Sequence, residues 1–354
     1  MKSARERNKE MTIVEHMRMR MGLYVPTDPA RRPMPWVWEN LLYALVADGV
    51  ASFLRGEATH LAIDGDGNGI SVAHDGRLGT GGLERVFELQ DGNPVLAGVH
   101  WCWFGNIRYA LVSALAERLV IEASEGGEWR AVESRCGVAG PVQRLLPGLV
   151  GEEKGVRIAF VPDRTYLAED METVEAWGPE ELRRFGAALA CGHPGLRVTV
   201  NGREFFMPDG PGGLVERQME EAGGEVLAPV AVAEIPGMSF AWGAVRRREP
   251  GRRLAGRVFV NGRETKWKAV IGPLGEMVLG WLCDFRCLPG GACTVFFALF
   301  AELPDEVFTS TDYARKLWDL DPGDWCANSE KIVQPPLFSL AAQCLAQAFG
   351  RRLA

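Results

Sequence analysis

Apolar residues near the N-terminus change rhythm twice. From Trp38 they fall at Leu41, Leu42, Leu45, Val46, Val50, Phe53 and Leu54, the i, i+3, i+4, i+7 spacing of an amphipathic helix. Ala44, Ala47, Asp48 and Ala51 share its other side. Alternation then takes over and predicts two strands, His60–Asp64 and Ile70–His74, joined by the turn Gly65-Asp66-Gly67-Asn68-Gly69. A second helix starts near Ile107, with Ala110, Leu111, Ala114, Leu115 and Leu119 on one face. Strand-like segments follow at Leu119–Ala123, Glu128–Ser134 and Val156–Val161.

Pro179-Glu180-Glu181 places acidic residues in the first turn of a third helix, running to about Ala190. Leu196–Val200 and Arg203–Phe206 flank Asn201-Gly202, a hairpin signal. Asp209-Gly-Pro-Gly-Gly213 reads as a loop and Leu214–Ala222 as a short helix. Beyond Gly223-Gly224, strands are predicted at Val226–Ala233, Met238–Arg246, Arg257–Val260 and Thr294–Ala301, with helices at about Leu274–Leu282 and Leu337–Arg351. Val-Asn-Gly-Arg occurs at 200–203 and again at 260–263, which two separate hairpins explain.

Composition narrows the class. The 354 residues, 47% hydrophobic and 24% charged, suit two globular domains and exclude a largely disordered chain. Lys+Arg of 39 against Asp+Glu of 46 gives a net charge of -7, which argues against coating nucleic acid over the whole surface. No apolar run has the length of a membrane span, and the charged first ten residues lead into no apolar stretch, unlike a secretory signal. The eight cysteines are sparse and irregularly spaced, so reduced thiols in a cytoplasm are expected. Cys191 and His193 with Cys283 and Cys287 are a zinc candidate, weighed against ordinary buried thiols because no C-x-x-C pair occurs.

A series of segments carries a more specific signal: Met17-Arg-Met-Arg20-Met-Gly22-Leu-Tyr24-Val25, Leu42-Tyr43-Ala44-Leu-Val46-Ala47-Asp48, Ser71-Val72-Ala73-His74-Asp75-Gly76-Arg77, Ser113-Ala114-Leu115-Ala116-Glu117, Gly155-Val156-Arg-Ile158-Ala-Phe160-Val-Pro162-Asp163 and Asp209-Gly-Pro-Gly-Gly213-Leu214. In the same order they resemble V-R-K-R-P-G-M-Y-I, the V-x-E-x-x-D-N-x-I helix, S-V-x-D-N-G-R-G, N-A-L-S-E, G-T-x-V-x-F-x-P-D and E-G-G-I of the DNA gyrase B and topoisomerase IV ATPase region, of the GHKL superfamily. Beyond Ala222 the likeness is to the transducer domain, through Pro304-Asp305 and Arg315-Lys316-Leu317. Phe259-Val260-Asn261-Gly262-Arg263 is similar to the MutL transducer.

The resemblance implies an ATP and Mg²⁺ site, and the chain departs from it repeatedly. The general-base Glu position holds Ala44, which cannot take a proton. The Mg²⁺-ligating Asn position holds Asp48, still able to bind a hard cation. His74 stands where an Asp would accept from the adenine amine, and Leu78 replaces the following glycine. Asp75-Gly76 would take over only after a one-residue slip, which turns every side chain of the strand to the other face. The phosphate turn is Trp103-Phe104-Gly105-Asn106-Ile107-Arg108, short of the glycines that leave backbone amides open to phosphate. Val156 replaces a Thr, and the transducer Lys that reaches the γ-phosphate falls on Ala314.

Other residues admit two readings. Asp48 and His74 are either ligands or hydrogen-bonded polar groups in an emptied cleft. Trp36, Trp38, Trp101, Trp103 and Phe104 either pack into that cleft, with Leu78 opposite, or offer a stacking platform. Asp64-Gly-Asp66-Gly-Asn68-Gly69 with Asp75 fits a Ca²⁺-loop pattern but has strand-like flanks. Arg246, Arg247, Arg248, Arg252 and Arg253 surround Glu249-Pro250-Gly251 as a solvated hairpin tip or a phosphate-contacting patch.

The expected fold is α+β: a GHKL (Bergerat-type) sandwich over residues 1–222 and a transducer-like domain over 223–354. The expected function is a gyrase-B-like pseudo-ATPase serving as a cytoplasmic binding or regulatory module. Its expected partners are itself, as a homodimer, a topoisomerase subunit or another protein, with DNA secondary and no membrane. No cofactor is expected. The competing reading keeps ATP and Mg²⁺ on Asp48, His74, Asp75, Gly76, Gly105 and Asn106. The likeness does not extend to a DNA-cleavage domain, so cutting DNA is not expected of this chain alone.

Overall fold

The computed structural model describes residues 13–19, 35–79, 82–88, 108–125, 127–145, 154–163, 178–246, 252–264, 292–302 and 339–344. The chain divides into two compact units: Met1–Ala187 with Leu196–Phe205, and Ala188–Gly195 with Phe206–Ala354.

The first unit opens with helices α1 (Ile13–Met19) and α2 (Pro35–Leu54) and the hairpin β1 (His60–Gly65), β2 (Ile70–His74). A 3-10 turn at Leu83–Arg85 precedes α3 (Arg108–Leu115). Strands β3 (Ala116–Glu125), β4 (Glu128–Arg135), β5 (Val138–Ala139), β6 (Gln143–Arg144) and β7 (Val156–Pro162) follow, then α4 (Pro179–Gly192) and the hairpin β8 (Arg197–Val200), β9 (Arg203–Phe205). They form one sheet in the order β5-β4-β3-β7-β2-β1-β8-β9, with β6 paired to β4. Neighbours run antiparallel except β1 and β8, which are parallel.

Alternation decides which face of this sheet is covered. Ile70, Val72 and His74 of β2 are buried, as are Val156, Ile158 and Phe160 of β7 and Leu61 and Ile63 of β1. Helices α2 and α3 pack on the sheet and on each other. Tyr43 of α2 meets Phe185 of α4 edge-on, with ring centroids 4.9 Å apart.

Helix α2 corrects the amphipathic expectation. Every residue from Leu41 to Ser52 is buried, the alanines and Asp48 included. Small Ala44, Ala47, Gly49 and Ala51 let neighbours close in on the side opposite the large apolar residues, and a helix apolar all round belongs in an interior. Helix α3 ends at Leu115 and β3 begins at Ala116, so Leu119 serves the sheet and not the helix.

The second unit contains α5 (Gly210–Ala222), the hairpin β10 (Val226–Ile235), β11 (Met238–Arg246), the hairpin β12 (Arg252–Val260), β13 (Arg263–Glu264), and β14 (Cys293–Ala301). The sheet order is β10-β11-β14-β12-β13, with β12 and β14 parallel. Strands β11 and β14 are central, which explains their nearly continuous apolar runs. Residues 339–344 are helical, inside the range predicted for Leu337–Arg351; Leu274–Leu282 lies outside the described residues.

One segment differs from its sequence reading and one pair agrees with it. The segment Asp209–Gly213, read as a loop, forms the first turn of α5. Pro211 suits a helix start, where its missing N–H would have no partner, and the Gly213 N–H donates to the Asp209 carbonyl at 3.3 Å. Helix α5 packs on β10, β11 and β14, burying Leu214, Val215 and Met219 with Ala241, Val245, Phe296 and Ala298. The two Val-Asn-Gly-Arg segments are both hairpins, with Asn201 at φ 46 and Gly202 at 76, and Asn261 at φ 49 and Gly262 at 78. Those are the left-handed values an Asn-Gly turn between twisted strands requires.

Candidate functional site

Helix α2 and strand β2 carry the residues that matter in the first unit. Ala44 and Asp48 lie one turn apart on α2 and are fully buried. The Tyr109 hydroxyl, on α3, donates to Asp48 Oδ2 at 2.6 Å. A phenol held this close occupies part of the carboxylate's coordination sphere, and Tyr109 is itself only 2% exposed.

His74 closes β2 on its buried face. Its register partners are Leu61 on β1 and Val156 on β7. Its Nδ1 accepts from the Gly76 N–H at 3.3 Å. Gly49 on α2 makes the room: a Cβ there would lie 3.2 Å from His74 Cβ and 2.7 Å from Leu61 Cδ1.

Asp75 sits just beyond β2, and its carboxylate faces the start of β1. It accepts from the Thr59 N–H at 2.9 Å, the Thr59 hydroxyl at 2.8 Å and the His60 N–H at 3.1 Å. Partial burial pulls its acidity toward the neutral form, but the Thr59 and His60 hydrogen bonds outweigh it and hold the carboxyl below the usual range. Gly76 is buried against Ser52, whose Oγ accepts from the Arg77 N–H at 3.2 Å. Leu78 is half-buried. Gly105, Asn106, Ala314, Trp101, Trp103 and Phe104 lie outside the described residues, as do the side chains of Trp36 and Trp38.

Two of the recognised segments meet directly. Arg18 of α1 donates through Nη1 to the Ala114 carbonyl at 2.9 Å and through Nη2 to Asp163 at 2.5 Å. The Met17–Val25 segment is thereby tied to the residue that ends the Gly155–Asp163 segment.

Among the described residues the metal candidates do not assemble. Among the described residues no three His, Cys, Asp or Glu are grouped to hold a metal ion. In the Asp64–Gly69 turn, Asp66 Oδ1 accepts from the Asn68 N–H at 2.9 Å, the flanks are strands, and Asp75 is committed to Thr59 and His60. Cys191 receives a hydrogen bond from Arg257 Nη1 at 3.7 Å, and burial pushes its thiol up, away from the thiolate a metal needs. Burial lowers His193 to about 4. Cys283 and Cys287 lie outside the described residues.

Of the arginine cluster, Arg246 is exposed and pairs with Glu225 at 2.6 Å, Arg253 is exposed, and Arg247, Arg248 and the Arg252 side chain lie outside the described residues.

Sequence reasoning missed Tyr109, Gly49 and Thr59. Gly49 was legible as a glycine inside a helix, where its conformational cost implies a close approach. Nothing local in the sequence marks Tyr109 as the partner of Asp48.

The fold of the chain, a mixed sheet covered on one face by helices followed by a second α+β unit, is similar to that of solved gyrase B and topoisomerase IV ATPase structures. It matches the B-subunit of the DNA gyrase from Myxococcus xanthus with a TM-score of 0.57 at 20% identity, over 92% of this chain and 99% of that one. It matches the 43K ATPase domain of Thermus thermophilus gyrase B, solved with an aminocoumarin, with a TM-score of 0.51 at 15% identity over 96% and 97%. A third match is the ATP-binding domain of Francisella tularensis topoisomerase IV, solved with a small-molecule inhibitor, with a TM-score of 0.50 at 14% identity over 96% and 98%. No family model and no curated protein sequence matches the chain. The likeness is therefore one of fold. Among the described residues no helix is long and apolar enough to cross a membrane.

Proposed function

We propose that this protein is a gyrase-B-like pseudo-ATPase, a binding or regulatory module on the GHKL scaffold that acts through a protein partner. The observation that carries this reading is the burial of Asp48 against Tyr109. In the resemblance Asp48 stands at the Mg²⁺ position, yet its carboxylate is fully buried and bonded to a phenol. Ala44 supplies no general base one turn earlier, and general-base catalysis is typically worth about 10²–10⁴ in rate. Asp75 is spent on Thr59 and His60. The partner is a second copy of this chain, a topoisomerase subunit or another protein.

The test is thermal-shift titration with ATP–Mg²⁺ alongside a phosphate-release assay. A ligand that binds the native state raises stability by RT ln(1 + [L]/Kd). The expected result is no shift at millimolar ATP–Mg²⁺ and no turnover above background. Steady turnover abolished by Asp48→Ala would overturn the proposal in favour of a divergent ATPase.

A further inference from the structure

The turn between β1 and β2 carries chemistry of its own. The chain has Asn-Gly pairs at 68–69, 201–202 and 261–262. Asn is among the thermolabile residues, and most so before Gly. With no side chain on the following residue, that residue's backbone nitrogen reaches the Asn side-chain carbonyl. The three pairs are alike in sequence and differ in structure.

Asn201 is clamped. Its Oδ1 accepts from the Gly65 N–H at 2.9 Å, and its Nδ2 donates to the Gly65 carbonyl at 3.0 Å. Both functions of the amide are thus held by one backbone residue. The 261–262 pair is held by packing. The His193 ring lies on Gly262, and Gly192 is so close that a Cβ there would overlap the Gly262 carbonyl.

Asn68 sits at the exposed tip, between Gly67 at φ +88 and Gly69. Flanking glycines leave its backbone able to turn. Gly69 is fixed as glycine, because a Cβ there would lie 2.9 Å from the Phe160 carbonyl of β7. The labile pair is therefore built into the packing of the sheet.

The Asp66 carboxylate gathers the reacting groups. Its Oδ1 accepts from the Asn68 N–H at 2.9 Å. The Asn68 side-chain amide and the Gly69 N–H also hydrogen-bond to it, and these bonds, the Asn68 N–H foremost, hold its acidity below the usual range. Asp66 is ionised at neutral pH, with the attacking nitrogen and the leaving amide on one anion.

We propose that Asn68 is a self-modifying site, at which the folded β1–β2 turn deamidates with Asp66 as the base. The Gly69 nitrogen bonds to Asn68 Cγ and gives its proton to Asp66. The Cγ–Nδ2 bond breaks, and ammonia leaves with that proton, closing a succinimide ring. Water then opens the ring at either carbonyl, giving aspartate, or isoaspartate with the main chain routed through the side chain. Both products place a new carboxylate in a turn that already holds Asp64 and Asp66. No group of the α2–β2 site takes part, so the ATP–Mg²⁺ titration leaves this assignment untouched.

Peptide mapping of the full chain by mass spectrometry tests it. Trypsin isolates the pairs: Asn68 is the sole side-chain amide in Gly56–Arg77, and Asn201 is the sole one in Val198–Arg203. In the folded protein at neutral pH, the first peptide should gain aspartate and isoaspartate several times faster than the second. In guanidinium chloride the two should react at similar rates, since the clamp on Asn201 is gone. Asp66→Ser keeps an acceptor for the Asn68 N–H but removes the base, and should slow the folded Asn68 severalfold. Asp66 is exposed, so this variant should melt with the wild type; if it melts lower, Asp66→Asn68 contacts are read instead from the wild-type ratio of folded to unfolded rates. A folded preference for Asn68 no greater than the unfolded one, or a stable Asp66→Ser variant that deamidates as fast as the wild type, would overturn the assignment.

Discussion

The Tyr109 phenol donates to the Asp48 carboxylate across 2.6 Å, joining α3 to α2 with both residues closed to solvent. Removing one member of such a pair leaves the other buried with a hydrogen bond fewer. Tyr109→Phe should therefore cost about 1–3 kcal/mol of stability, read as a lower denaturation midpoint with an unchanged m-value. If Tyr109→Phe is as stable as the wild type, the bond holds nothing together.

Asp75 tests the two readings of the site directly. As a brace for the start of β1 it accepts three hydrogen bonds from Thr59 and His60. Asp75→Ala should lose about 1–3 kcal/mol and leave the response to ATP–Mg²⁺ unchanged. Its folded acidity lies below the unfolded value, so its contribution is present above about pH 4 and fades as pH falls further. Unchanged stability with a changed nucleotide response would make Asp75 a ligand.

Arg18 bridges Ala114 and Asp163 from the far end of the unit's sequence. Its side chain is 17% exposed and that of Asp163 9%. Truncating one member of a well-buried ion pair costs about 3–5 kcal/mol, so Arg18→Ala should destabilise by about 2–4 kcal/mol, somewhat less for this partly exposed pair. Arg18→Lys should recover only part of that, since one ammonium reaches both acceptors less well. Chemical denaturation of the three proteins side by side gives the comparison.

His193 should make stability depend on pH in a separate window. Its folded value is about 4 against an ordinary 6.5, because burial disfavours the imidazolium. Between those values the unfolded chain binds the proton and the folded one does not. Stability is thus full above about pH 6.5 and falls as pH drops toward 4, by about 3 kcal/mol in all. Urea denaturation between pH 4.5 and 7.5 should show this slope, flattened in His193→Gln. A His193→Gln slope equal to the wild type would place the pH dependence elsewhere.

Local rules made much of the fold legible. Alternation along Ile70–His74 and Val156–Pro162 assigns each side chain to a face, because successive strand residues point opposite ways. The Asn-Gly pairs at 201–202 and 261–262 specify hairpins through their backbone preferences alone. The ordered segments from Met17 to Leu214 were enough to indicate a fold like that of gyrase B ATPase structures. What those residues do was decided by contacts between distant parts of the chain. Tyr109 reaches Asp48 across 61 residues, and Arg18 reaches Asp163 across 145. The side of α2 that carries Ala44, Ala47, Asp48 and Ala51 became interior because other elements cover it. Helix α5 gained its glycine-rich first turn and packed on the second sheet, where it buries Leu214, Val215 and Met219. Sequence periodicity records which face of an element is apolar; which neighbour covers that face depends on how the elements pack, and only the tertiary structure decides it.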